Sequence, residues 1–188
     1  MKKAFENLLI EHCSPTLAGL KTANLFCYEA TKEQVQKDVE FWNQKLQTFG
    51  VKATIVKRCN HKNNYLIYVF REKRLMEDMR EAGVIDYLAS AGYSEPLQME
   101  RLLSQLSIRL ADCTEFPHEI GLFLGYPLQD VVGFIRHQGK NFCCSGFWKV
   151  YHNPEQAQKR FSQFKKCMDV YRKMYQKGAT VTKLTVAA

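Results

Sequence analysis

The feature that most limits the fold is a change of apolar period between Thr31 and Phe70. In "TKEQVQKDVEFWNQKLQTFG", Thr31 to Gly50, the residues Val35, Val39, Trp42, Leu46 and Phe49 recur at spacings of 4, 3, 4 and 3. On a helix that spacing lays one apolar stripe against a core. Thr31 and Gln34 have capping-box spacing, and Gly50 supplies a C-terminal stop. The period then drops to two, with Val51, Ala53 and Ile55 alternating with Lys52 and Thr54 as in a half-buried strand. "NHKNN", Asn60 to Asn64, reads as a turn and "YLIYVF", Tyr65 to Phe70, as the returning strand. A capped helix running into a hairpin calls for an α+β architecture.

The flanking segments extend this pattern. Residues 3 to 12 read as a short helix stopped near Ser14-Pro15, and "TANLFCYEA", Thr22 to Ala30, as a strand. From Arg71 the pattern turns helical, with Leu75, Met79 and Ala82 on one face and an interruption at Gly83. Ser94 and Pro96 suit the start of a helix whose Leu102, Leu103, Leu106 and Leu110 face inward. In "EFPHEIGLFLGYPLQDVVGFI", Glu115 to Ile135, Pro117 and Pro127 are two helix-start signals ten residues apart, with Gly125 in a left-handed stop between them. This predicts two short helices joined at a sharp corner, the second reaching Gly139. "NFCCSGFWKVYHN", Asn141 to Asn153, reads as a further strand. Asn153 and Pro154 then open a long last helix with Ala157, Phe161, Phe164, Met168, Tyr171 and Tyr175 on one side. The expectation is a single domain over 1–188: a mainly antiparallel sheet of about four strands, with ferredoxin-like order as one arrangement. A helical insertion would span about 71–139, and a long helix would close the chain.

With 46% hydrophobic residues the chain can bury a core. Leu8-Leu9-Ile10 is too short an apolar run for a signal peptide, and no stretch approaches a membrane span, so a cytoplasmic protein is expected. Seven cysteines without a Cys-x-x-Cys pair point to reduced thiols and no metal site. The net charge of +8 is concentrated: residues 136–178 hold ten Lys or Arg against Glu155 and Asp169. An anionic partner near the C-terminal part follows from that asymmetry. The basic side of the last helix (Lys159, Lys165, Lys166, Arg172, Lys173) is either a solvated face or a dock for nucleic acid or an acidic protein.

Two polar clusters stand out. His118-Glu119 lacks the second histidine of a zinc protease, because position 122 is Leu122. A histidine in a first helical turn can still serve as a base, with Glu119 or Asp130 orienting it. In the purely structural alternative Glu119 answers the helix dipole and His118 bonds a nearby loop. In "EHCSPTLAGLK", Glu11 to Lys21, Cys13 before a helix start could be an activated thiol, with His118 or His12 as base, and Lys21 could hold a carboxylate or phosphate. The structural alternative makes Cys13 a small buried hydrophobe and Ser14 a cap. No P-loop, Gly-x-Gly-x-x-Gly turn or Gly-x-Ser-x-Gly elbow is present.

"CSPTLAGLKTANLF", "HEIGLFLGYPLQDVVGFI", "FWKVY" and the basic terminal helix resemble a family of uncharacterised bacterial proteins, mainly from anaerobic Gram-positive bacteria, catalogued as a domain of unknown function. The resemblance runs from about Phe5 to Gly178. It implies shared positions at Cys13, Pro15, Gly19, Lys21, His118, Glu119, Gly121, Gly125, Tyr126, Pro127, Asp130 and Trp148, and it brings no activity, cofactor or partner. The leading expectation is a pocket for a small anionic ligand or cofactor of unknown identity between the Cys13–Lys21 segment and the Pro117–Asp130 corner. Lys21, His118, Tyr126 and Asp130 would bind it. The alternatives are a thiol enzyme built on Cys13, His118 and Glu119, or an interaction protein using the basic helix.

Overall fold

The structure, a computed structural model, describes residues 4–59, 63–94, 98–112 and 116–187. It opens with helix α1 (Phe5–Leu17) and strand β1 (Ala23–Glu29). Helix α2 (Lys32–Leu46) leads through one 3-10 turn into β2 (Val51–Cys59) and β3 (Asn64–Arg71). Five helices follow: α3 (Glu72–Met79), α4 (Val84–Ser90), α5 (Met99–Ala111) and α6 (Ile120–Phe123) precede the corner, and α7 (Leu128–Arg136) leaves it. A hairpin of β4 (Cys144–Ser145) and β5 (Lys149–Val150), the long α8 (Pro154–Gln176) and the short α9 (Val181–Leu184) complete the described chain. No helix among the described residues is long and apolar enough to cross a membrane.

The fold is α+β, with an antiparallel sheet of order β1-β3-β2. Central β3 pairs with β1 from Ala23↔Phe70 to Glu29↔Asn64, and with β2 across a bulge between Ile55 and Lys57. Its run "YLIYVF" is apolar on both faces because both are covered. Tyr65, Ile67 and Val69 join a core with α1 and α2, while Tyr68 and Phe70 join a second core with α3 to α7. A third cluster, around Trp148, Val150, Ala157 and Phe164, lies between the β4–β5 hairpin and α8.

Several expected elements take a different form. The "NFCCSGFWKVYHN" segment forms its own two-stranded hairpin and does not add a fourth strand to the sheet. Helix α1 runs through Ser14-Pro15 to Leu17, since a proline in the last turn removes only one N–H. Ser14 is therefore no N-cap; its hydroxyl donates back to Ile10 O. Helix α7 ends at Arg136, three residues before Gly139. Helix α5 begins at Met99, and Ser94 instead exchanges hydrogen bonds with Gln105. Residues 60–62 of the expected turn, Pro96, Cys113 and Glu115 lie outside the described residues. The Thr31 cap forms, accepting from Gln34 N at 3.2 Å, but the Gln34 side chain reaches Asp38 instead of closing the box.

Candidate functional site

The N-terminal segment reaches the site through one buried cation. Arg71, at the end of β3, donates to Thr16 O and Leu17 O at 2.7 Å each and to Val186 O at 2.7 Å, fixing the end of α1. Gly19, at φ +73°, then turns the chain so that Leu20 N and Lys21 N both bond Pro15 O. Lys21 points inward and is only 1% exposed. Its ammonium donates to Ala23 O and lies 5.1 Å from the centroid of the Tyr126 ring. Burial brings its pKa down to about 7; Arg160 and Arg74 push the same way, while Cys13 and Asp78 oppose. Burial also pushes the fully enclosed Cys13 thiol well above its ordinary value, more strongly than Lys21 lowers it.

The corner is built by α6 and α7. After Pro117 the chain coils with i to i+3 bonds, Ile120 N to Pro117 O and Gly121 N to His118 O at 3.1 Å each. Helix α6 closes as a Schellman motif: Tyr126 N bonds Gly121 O and Gly125 N bonds Leu122 O, both at 2.9 Å. Gly125 has φ +72°, and a Cβ there would stand 2.5 Å from Thr22 Oγ1, so the position admits little but glycine. That contact presses the corner against the segment after Lys21. In α7, buried Asp130 accepts from Trp148 Nε1 at 2.7 Å and from Tyr151 N and His152 N at 2.8 Å each, binding the hairpin to the corner. The Tyr126 and Trp148 rings stack with centroids 4.9 Å apart.

Two clefts flank Tyr126. A polar cleft of about 500 Å³ is lined by Thr22, Arg74, Asp78, Gln129 and Arg160, among others. Arg74 Nη1 donates to Gly19 O at 2.5 Å, and Arg160 Nη2 to Gly125 O at 3.4 Å. The Arg160 guanidinium also covers the Trp148 ring at 5.3 Å. Neither guanidinium forms an ion pair with a described carboxylate. Asp78, raised by burial, accepts instead from Thr22 Oγ1. The first turn of α7 borders the cleft at Pro127, Leu128 and Gln129, with no side chain capping it. An aromatic cleft of about 340 Å³ lies on the other side, lined by His118, Tyr126, Asp130, Phe134, Trp148 and Lys149, among others.

The two segments singled out in the sequence do meet, where Lys21 lies over the Tyr126 ring, but their side chains divide. Tyr126 lines both clefts; His118 and Asp130 line only the aromatic one. Lys21 lies behind Tyr126 and lines neither, so it does not meet a ligand by direct contact. Exposed His118 packs on Phe116 and Phe134, whereas Cys13 is enclosed in the core shared by α1, α2 and the sheet. Cys13 sits in the last turns of α1, not at a helix start, and its raised pKa keeps it a thiol where a nucleophile requires a thiolate. Glu119 is buried against Arg109 at 2.6 Å, with Tyr93 Oη at 3.3 Å, so it is engaged away from His118. The acceptor role expected of Asp130 toward a histidine goes to Trp148 and two backbone amides. Arg74, Asp78 and Arg160 went unread as site residues. Arg160 had a signal: it lies three residues after Ala157 and four before Phe164, on the buried side of α8.

The fold is α+β, and its helical corner and N-terminal segment frame paired clefts. The chain belongs to the family described as "Protein of unknown function (DUF3793)", whose model matches residues 9–185. No curated protein and no solved structure matches it.

Proposed function

We propose that the protein binds a small anionic ligand in the polar cleft. The observation that carries this reading is the pair of half-buried guanidiniums, Arg74 and Arg160, facing one cleft with no described carboxylate within ion-pair distance, although Asp78 and Glu81 line the same cleft. Both are held by backbone carbonyls, so their forks are positioned before a ligand arrives, and an oxyanion would accept from them as a bidentate or bridging group. The opening amides of α7 add the positive end of a helix. Lys21, behind Tyr126, adds charge without contact when protonated.

The test is thermal unfolding in inorganic phosphate at low salt. At a hundredfold excess over Kd the ligand adds about 2.7 kcal/mol, a rise in Tm of roughly 5–10 °C for a chain of this size. Arg74→Gln should remove the rise, while the lost bond to Gly19 O lowers the unliganded Tm by a few degrees at most, so the phosphate response is read against each protein's own baseline. A folded wild type that does not respond to phosphate, pyrophosphate or citrate, or a response undiminished in Arg74→Gln, refutes the reading.

A further inference from the structure

We infer that the aromatic cleft is a second site, one that takes a planar heteroaromatic ring. Its walls combine the rings of Tyr126, Trp148, Phe134 and His118 with the aliphatic Ile120 and Val131. Tyr126 and Trp148 stack on one another, and Phe134 carries His118 against it at 4.8 Å between centroids. These rings are held in place: Trp148 Nε1 is fixed by Asp130, and Tyr126 Oη donates to Phe147 O at 3.1 Å. The Tyr126 and Trp148 faces are taken up by each other, Lys21 and Arg160, so a flat ligand meets ring edges there and the rings of Phe134 and His118, edge and face contacts that an alkyl chain does not gain. Its volume of about 340 Å³ lies at the small end of the roughly 300–1,000 Å³ spanned by small-molecule sites.

The two charged side chains in its lining are already hydrogen-bonded within the protein. Asp130 accepts three hydrogen bonds, and Lys149 Nζ donates to Gly139 O at 2.7 Å while lying over Phe142 at 5.0 Å. The polar groups left over are small. Among the described residues the side chains of His118 and Ser145, both exposed, have no hydrogen-bond partner, so each can meet a carbonyl or ring nitrogen at a heteroaromatic edge. Nearby Phe116 and Phe142 are 51% and 41% exposed, apolar surface beside a cleft of the same character.

The experiment uses the full chain with Trp42→Phe, so that Trp148 is the remaining indole, and two neutral probes without phosphate, adenosine and lumichrome. Saturable quenching of Trp148 by adenosine and saturable polarisation of lumichrome are expected. Phe134→Ala should weaken both by about tenfold or more, as loss of a stacking face implies. Arg74→Gln should leave ring binding within about twofold, while it removes the phosphate response, so the two clefts are tested separately. Should Phe134→Ala not fold, Phe134→Leu keeps the bulk without the ring face and should still weaken both probes. Linear quenching without saturation, equal affinity in the Phe134 variants, or competition by hexanol as effective as that by either ring overturns the inference.

Discussion

Lys21 gives the sharpest quantitative test of the site. Its ammonium has one carbonyl and one ring face in place of water, and its pKa falls from 10.5 to about 7. Between those values the unfolded chain binds more protons at this residue than the folded chain, so stability must rise with pH. The penalty is about 4–5 kcal/mol at pH 7 and below, and about 2 kcal/mol remains at pH 9. This residue alone therefore adds about 2 kcal/mol of stability from pH 7 to 9, near 1 kcal/mol per pH unit. The window closes there for a stated reason. Cys13 has an ordinary value of 9.0 and is pushed up by burial, so above pH 9 the unfolded thiol ionises while the folded one does not. Stability then begins to fall with pH from that residue, and Tyr68 and Tyr126 act in the same sense above their ordinary 10.0.

Lys21→Met keeps the stem and removes the titrating group. It also leaves Ala23 O without that donor, a loss of about 1 kcal/mol that does not depend on pH. Urea unfolding of wild type and variant at pH 7, 8 and 9 isolates the contribution, because every other ionisable group is common to both proteins. The difference in unfolding free energy should move by about 2 kcal/mol across the series, the wild type gaining. Parallel pH profiles would refute the reasoning, since they would mean that the folded protein leaves Lys21 as well hydrated as the unfolded chain does.

Two further outcomes test the joints of the site. Asp130→Asn turns one of three acceptor contacts into a donor facing a donor, so it should cost about 3 kcal/mol and lower Tm by roughly 6–12 °C; unfolding monitored by Trp148 fluorescence checks this, and a change under about 0.5 kcal/mol would contradict the bonding described. In native protein at pH 7.5, iodoacetamide should modify exposed Cys27 and Cys143 well before buried Cys13; mass spectrometry of the labelled peptides reads the order, and fast labelling of Cys13 would restore it as a reactive thiol.

What could be read from the chain was whatever local periodicity decides. The stripe of α2, the alternation in β2, the Asn153-Pro154 start of α8 and the Gly125 stop are each set within a few residues, and each appears where expected. What could not be read depends on distant partners. Arg71 looks like a strand-end cation until the carbonyls of Thr16, Leu17 and Val186 are seen around it. Residues 141–153 carry enough β-favouring side chains for a fourth strand. The Cβ of any residue at Gly146 would lie 2.3 Å from the Phe161 ring, and that close approach to α8 accompanies a separate tight hairpin. Cys13 and Lys21 sit at either end of a nine-residue stretch that looks chemically active, yet burial reverses both expectations. It raises the thiol and lowers the amine, so each is driven toward its neutral form.

The same physics explains why the expected single pocket is two. A cavity shared by His118, Asp130 and Lys21 would have to keep an imidazole, a carboxylate and an ammonium together in a place with little water, where each unpaired charge is costly. The fold answers each separately: Asp130 is bound by three donors, Lys21 by a carbonyl and a ring, and His118 stays in solvent. The Tyr126 ring stands between them because Gly125 lets the chain turn there, and the buried phenol, pushed up to about 12, stays neutral. The cations divide unequally about that ring: Arg74 and Arg160 share one cleft with Asp78 and Glu81, while Lys149 alone borders the other and is held by Gly139 O. The Tyr126 ring thereby separates a cleft lined by guanidiniums and carboxylates from one lined mainly by rings.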